Sequence, residues 1–418
     1  MRPATETRST QIQDATDRCM SRCDEIAALT DDPGKIHRLY LSNAIRQTHD
    51  LLDQLARHAE LSCRVDAAGN WIGRLPANQP TDRVLMIGSH LDTVPNAGKY
   101  DGLLGVLVGL AVAECVGSDR LPFHLDVVGL SEEEGVRFSK PYLGSAALAG
   151  RFDPAWFRRK DHQGITMREA ITSFGLSPDR LTNARIDPNR VIGFIEPHIE
   201  QGPLLRRVDR AVGLVTAIAG QSRLLLRFSG VAGHAGTVPM PFRTDALVMA
   251  SKWIDLVAQY ATQREGLCAT VGQLHVQPNV RNVIPGCVEL SLDVRDAKDD
   301  RRRRAATDLI DMAIRVAREA GGDAEVIEHQ QQPAATMDES LSNQLRAAIT
   351  AVGCGAFDMT SGAGHDSAVL SDVFPTSMLF IRQPVGISHH PDEDVDASDV
   401  AIAIEVLHHF VTHFQDTT

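Results

Sequence analysis

Short, wholly apolar runs recur along this chain, each followed by a stretch where polar residues return. Residues 84–88 (VLMIG) have the length and continuity of a strand buried on both faces. Residues 102–115 (GLLGVLVGLAVAEC) are apolar all round and read as a buried helix. Runs at 123–130 (FHLDVVGL), 191–196 (VIGFIE) and 377–382 (SMLFIR) repeat the strand signal, and residues 17–60 read as helices. Strands alternating with helices predict an α/β fold, a mixed and mostly parallel sheet covered by helices on both faces.

Between 212 and 330 the rhythm changes. A strand at 222–230 precedes a helix at about 243–264. Strands at 268–277 and 287–296 follow, the second with clean period-two alternation, then a helix at about 300–319 and a strand at 324–330. That order, β-α-β-β-α-β, is the ferredoxin-like split pattern. The expectation is an inserted domain at 212–330. Residues 1–211 and 331–418 would then form one discontinuous domain around it.

A chain of 418 residues, 43% hydrophobic, has room for two domains. No apolar run is long enough to cross a bilayer, and the N-terminus (MRPATETRSTQIQDATDR) lacks the apolar core of a secretory signal, so a cytoplasmic protein without membrane contact is expected. The net charge of -12 argues against nucleic acid. The one basic run, Arg301 to Arg304, follows Asp299 and Asp300 and reads as a solvated first helical turn. Seven scattered cysteines read as reduced thiols; Cys19 and Cys23 lie one helical turn apart, but no second pair follows. No G-x-G-x-x-G follows an early strand, which disfavours a dinucleotide-binding reading.

The chemistry sits at the ends of the expected strands. His90 lies just past 84–88, and in His90-Leu91-Asp92 the aspartate is placed to accept a hydrogen bond from the ring's other nitrogen. Asp101 opens the apolar helix and either bridges two cations or caps the helix. Glu132, Glu133 and Glu134 end the strand 123–130; they form either a solvated acidic loop or a site where one binds metal and its neighbour faces water. His198 and His389 follow two further strands and are loop residues or ligands. Four strand ends carrying metal-type ligands, with one more carboxylate in a nearby loop, point to two divalent ions sharing a carboxylate, and hence to hydrolysis. Zn, Mn, Co or Ni would suit such mixed ligands.

At this point the motifs resemble those of the amidase/hydantoinase/carbamoylase branch of the dinuclear metal-dependent amidohydrolases, with a metallopeptidase-like fold. They are GSHLDTVPNAGKYDGLLGV (88–106), SEEEGVRF (131–138), EPHIEQGP (196–203), GHAGTVPMPFRTDA (233–246), NVIPG (282–286), LDVR (292–295), SGAGHD (361–366) and GISHHPDE (386–393). The likeness runs from about residue 17 to 412. It implies that His90, Asp101 and His198 hold one metal and Asp101, Glu134 and His389 the other, two ions per subunit, with Asp92 orienting His90. Glu133 would be the general base, then the acid. Gln201, Asn282, Arg295, Gly364 and His365 would bind substrate. The inserted domain would act as lid and dimerisation surface, with His234 reaching a partner subunit's site to stabilise the oxyanion.

Read without the resemblance, His234 is a turn histidine and Arg295 a strand arginine paired with Asp293 or Asp296. His390 stands beside His389 as a second candidate ligand. The activity implied is hydrolysis of a linear ureido group on a small carboxylate, allantoate or an N-carbamoyl-L-amino acid, by a homodimer. N-carbamoyl-β-alanine is the next substrate. An aminoacylase or peptidase of the same superfamily and a non-enzymatic binding protein are the rival classes.

Overall fold

The computed structural model describes residues 4–117 and 121–416. Residues 1–3, which begin the polar N-terminal stretch, lie outside the described residues, as do 118–120 and 417–418. The strands in chain order are β1 (Ser62–Val65), β2 (Trp71–Leu75), β3 (Val84–His90), β4 (His124–Leu130), β5 (Val191–Ile199), β6 (Val212–Ile218), β7 (Gly220–Ser229), β8 (Gly233–His234), β9 (Cys268–Thr270), β10 (Leu274–Gln277), β11 (Val283–Ile284), β12 (Cys287–Asp296), β13 (Asp323–Gln332), β14 (Ala335–Thr336), β15 (Asp358–Ser361) and β16 (Thr376–Ile381). The chain divides into two compact units, residues 1–216 with 336–418, and residues 217–335.

The first unit is built on a nine-stranded sheet in the order β1-β2-β4-β3-β5-β16-β6-β14, with β15 beside β6. Its centre, β4-β3-β5-β16, is parallel, while β1, β2 and β6 pair antiparallel at the flanks. The central strands are buried on both faces, as their unbroken apolar runs require. Pairing carries two of them further than their apolar runs suggest. β3 stays in register with β4 to the pair His90–Leu130, and β5 with β16 through His198–Phe380. Both histidines are therefore the last or next-to-last residues of strands rather than loop residues. They stand at one edge of the sheet, where the carboxyl ends of parallel strands open a crevice.

The apolar helix Leu103–Val116 is almost wholly buried. Its start lies so close to the strands that only glycine fits at two positions. A Cβ at Gly102, whose φ is +66°, would lie 2.4 Å from the His90 ring, and one at Gly105 would lie 2.0 Å from the Pro197 carbonyl oxygen. This contact delivers Asp101, one residue earlier, to the same sheet edge.

The second unit is an antiparallel sheet ordered β10-β12-β7-β13, with β9 also on β12. Helices Ala246–Thr262 and Asp299–Glu319 share a core with it around Phe228, Trp253, Leu290 and Leu309. The helix expected from 243 begins at Ala246 because Asp245 caps it, accepting from the N–H of Leu247 and Val248. The boundary expected at 212 moves to 217, since β6 is tied into the large sheet through β16. The Arg301–Arg304 run is a further correction. Arg302 is buried and bonds the Gln221 carbonyl at 2.8 Å and Asp299 at 3.1 Å, so the run is solvated only in part. The seven cysteines form no disulfide, and no described helix is long and apolar enough to cross a membrane.

Candidate metal centre

Two imidazoles and a carboxylate meet where β3, β5 and the buried helix converge. His90 Nε2 lies 3.4 Å from Asp101 Oδ1, His198 Nε2 lies 3.1 Å from the same oxygen, and the two ring nitrogens are 3.4 Å apart. All three side chains are buried. The rings' other nitrogens fix the tautomers. His90 Nδ1 faces the backbone carbonyl of Asp92 at 2.9 Å, and His198 Nδ1 faces that of Ile199 at 2.9 Å. A carbonyl only accepts, so each Nδ1 carries a proton and each Nε2 is the nitrogen turned towards Asp101.

Asp101 Oδ1 is correspondingly buried without a hydrogen-bond partner. Two ring nitrogens and a carboxylate oxygen thus converge on one point. Ligands about 2.0–2.1 Å from a tetrahedral cation lie about 3.3 Å apart, so the donor set fits a divalent metal. The electrostatics agree. Burial opposes a charged ring at His90 and at His198, yet the Asp101 carboxylate outweighs it and raises both. Burial likewise opposes ionisation of Asp101, but its histidine neighbours hold it well below the usual carboxylate range. The pocket favours positive charge.

The other oxygen of Asp101 faces a second group. His389 Nε2 lies 3.3 Å from Asp101 Oδ2 and 3.3 Å from Glu134 Oε1. Asp101, Glu134 and His389 can hold an ion together, and His90, Glu133 and Glu134 form an overlapping set. His389 is half-exposed and stands at φ +57°, a strained conformation set by its loop. His390 is outside these groups and engages Asp392, whose N–H it accepts at 3.2 Å.

Asp92 acts on its neighbours through both its main chain and its carboxylate. Its carboxylate is 3.9 Å from His90 Nδ1, which is held instead by the Asp92 backbone carbonyl. The carboxylate accepts the backbone N–H of Glu133 at 3.0 Å and of Glu134 at 3.1 Å. It therefore positions the acidic loop, while its own main chain positions the histidine.

Of the three adjacent glutamates, Glu132 turns away at φ +53° and accepts the N–H of Arg137 at 2.9 Å and of Phe138 at 3.0 Å. Burial and nearby Asp92 push its carboxyl up to about 8. Glu133 is buried beside the ligands, and burial with the charges of Glu134, Asp366 and Asp92 raises it well above the ordinary carboxylate value against the pull of His90.

Gln201 joins the group, its Nε2 donating to Asp101 Oδ2 at 2.8 Å while Oε1 is buried and unpartnered. His365 packs its ring 4.5 Å from that of His198 and places Nε2 2.9 Å from Ser361 Oγ; burial and His198 keep it neutral at ordinary pH. Gly364 lies against Tyr142. His234, Asn282 and Arg295 belong to the second unit, whereas the group above is built from the first alone. Exposed His234 accepts the Gly236 N–H on Nδ1 at 3.0 Å, the Asn282 carbonyl accepts the Ala235 N–H at 2.9 Å, and Arg295 forks onto Asp293 at 3.0 and 2.9 Å.

Residue-by-residue reading missed Glu393 and Ser388. Glu393 Oε1 accepts the N–H of Tyr100 at 2.9 Å and of Asp101 at 3.0 Å, and Ser388 Oγ lies 2.7 Å from Asp101 Oδ2 and 2.9 Å from Glu393 Oε2. Both sit in the GISHHPDE stretch that supplies His389, but nothing in their spacing signals a partner 292 residues away.

The class of this site is set by its sequence relationships as well as its donors. The profile of peptidase family M20/M25/M40 matches residues 86–413, and the chain belongs to that family. Within it, the chain is 36% identical over 398 residues to an N-carbamoyl-L-amino acid amidohydrolase of Geobacillus stearothermophilus, covering 94% of this chain and 97% of that protein. It is 34% identical over 366 residues to the allantoate amidohydrolase of Bacillus subtilis, covering 85% of this chain and 88% of that one. Among solved structures, an amidase of the hydantoinase/carbamoylase family from Burkholderia multivorans superimposes with a TM-score of 0.88 at 32% identity, over 95% of this chain and 97% of its own.

Proposed function

We propose that this protein is a metal-dependent hydrolase of linear ureido groups, R–NH–CO–NH2, on small carboxylate compounds, with N-carbamoyl-L-amino acids and allantoate as its substrate class. The observation that carries the reading is the buried, unpartnered Asp101 Oδ1 facing two imidazole nitrogens, beside the buried Glu133. Relatives acting on both substrate types, by their names, support the choice of bond.

His90, Asp101 and His198 would hold one divalent ion and Asp101, Glu134 and His389 a second; Zn, Mn, Co and Ni all suit these ligands. Bound there, the ions would supply Lewis acidity to activate water and polarise the carbamoyl oxygen. The chain's own residues do the rest. Glu133 takes a proton from the attacking water and returns it to the departing nitrogen; a carboxyl with a raised proton affinity suits both steps. Asp92 holds Glu133 in place through its backbone N–H. Gln201, Asn282, Arg295, Gly364 and His365 are assigned to substrate, the Arg295 fork suiting its carboxylate, and His234, from a partner subunit, to the developing oxyanion. Ammonia, carbon dioxide and the free amine are the products. The order and pairing of β7, β9, β10, β12 and β13 support reading residues 217–335 as a ferredoxin-like domain; its part as lid and dimerisation surface of a cytoplasmic homodimer follows from the family resemblance.

The test is ammonia release and product identity with metal-reconstituted protein on allantoate, N-carbamoyl-L-amino acids, N-carbamoyl-β-alanine, an N-acyl amino acid and a dipeptide. Ammonia from the ureido compounds supports the proposal; cleavage confined to the last two compounds refutes it. In Glu133→Gln, metal content is expected to match the wild type while kcat falls about 10²–10⁴-fold. Undiminished turnover there moves the base elsewhere.

A further inference from the structure

We infer that Tyr142 is a further substrate-contacting residue, its phenolic hydroxyl donating a hydrogen bond to the oxygen of the substrate's ureido group. The inference rests on the ureido reading above and extends it to a residue outside the family motifs.

Tyr142 stands at φ 64° and ψ 34°, a left-handed conformation that a bulky aromatic residue rarely adopts. The structure enforces it from both ends. At the backbone, three successive hydrogen bonds lay residues 142–144 along the acidic strand end: Tyr142 N–H to the Glu133 carbonyl at 3.3 Å, Leu143 to Glu132 at 3.3 Å, and Gly144 to Ser131 at 2.8 Å. At the tip, the hydroxyl oxygen lies 1.9 Å from where a Cβ at position 364 would stand. A side chain at 364 would have to displace the hydroxyl from this position. The ring carbon that bears it is 3.2 Å from the same point, so a phenylalanine at 142 would ease most of that crowding and leave a tight contact. Strain at functional positions of this kind persists only when the surroundings over-determine it.

The hydroxyl has no hydrogen-bond partner among the described residues. Its charged neighbours are the carboxylates of Glu133, Asp366, Glu134 and Glu196. A phenol is un-ionised at neutral pH, so the hydroxyl is a donor. None of those carboxylates takes its proton, and the donor remains available to a group that enters. Gly364, which the tip of this side chain approaches, lies in the SGAGHD stretch assigned above to substrate, and this places the donor beside the bound molecule. A ureido carbonyl is an acceptor whose oxygen gains negative charge as water adds, so a donor aimed there acts more strongly in the transition state than before it.

The experiment uses the metal-loaded enzyme with an N-carbamoyl-L-amino acid and allantoate, following ammonia. Tyr142→Phe is expected to keep the wild-type circular dichroism, thermal midpoint and metal content while kcat/KM falls about 10- to 100-fold. Gly364→Ala is expected to be costly in the wild-type background, where its methyl displaces the hydroxyl, and to add little in the Tyr142→Phe background. Tyr142→Phe within about twofold of wild type, or additive losses in the double variant, overturns the assignment. A shift of the acid limb of kcat/KM without loss at the optimum also overturns it, by moving the hydroxyl's partner to Glu133. Ammonia from wild type with no loss in Tyr142→Phe sinks this inference alone. No ammonia from wild type on any ureido compound sinks the functional reading and this inference with it.

Discussion

Asp92 shows what a single residue contributes through two chemically different parts. Its carbonyl fixes the His90 tautomer and its carboxylate grips the backbone of Glu133 and Glu134. The sequence His-x-Asp makes the carboxylate the natural partner of the imidazole, and only the backbone path past β3 reveals the exchange of roles. Asp92→Asn should therefore retain metal at His90, Asp101 and His198 but loosen the acidic loop, lowering kcat about 10- to 100-fold. Metal analysis and turnover on one sample check this; loss of metal in proportion to activity would return the carboxylate to His90. The adjacent histidines separate in the same way. His389→Ala should lower occupancy of one ion, because His389 faces Asp101 and Glu134, while His390→Ala should leave occupancy unchanged. The opposite result would exchange the two assignments.

At the scale of elements, the strands 84–90, 124–130, 191–199 and 376–381 were legible because fully buried parallel strands leave unbroken apolar runs. Their ends were less so. Apolar content stops where the ligands start, but the hydrogen-bond ladder continues, which carries β5 past Glu196 to Ile199. The candidate ligands were legible as His, Asp and Glu at strand ends; their grouping came from the resemblance. Glu393 escaped because its partners lie on another loop, and Arg302 because a basic run at a helix start reads as solvated until Gln221 and Asp299 are seen to enclose it.

The helix Asn43–His58 carries a pH liability of its own. His49 is buried against Phe174, at 6.1 Å between rings, with Nε2 unpartnered, and burial pulls it down to about 4. A histidine buried neutral binds its proton more weakly in the folded state than in the unfolded one. Its contribution is fully present above pH of about 6.5 and lost as pH falls towards 4, at a cost on the order of 3 kcal/mol. Denaturant melts across this window should show the loss, and His49→Gln should flatten it. An unchanged pH slope in that variant would place the acid sensitivity elsewhere.

At the scale of the whole molecule, the sheet, the buried helix and the 386–393 loop exist in this chain to bring donors from distant residues to one sheet edge. The reading stands on two propositions: that the edge binds divalent ions, and that the bound enzyme cuts ureido rather than peptide bonds. One measurement joins them. Ammonia release from an N-carbamoyl-L-amino acid and from allantoate would be followed in the native, chelator-stripped and metal-restored enzyme, with a dipeptide in parallel. The account predicts release that vanishes on stripping and returns with Zn, Mn, Co or Ni, and no comparable hydrolysis of the dipeptide. Ammonia release indifferent to stripping, or faster cleavage of the dipeptide, would contradict it.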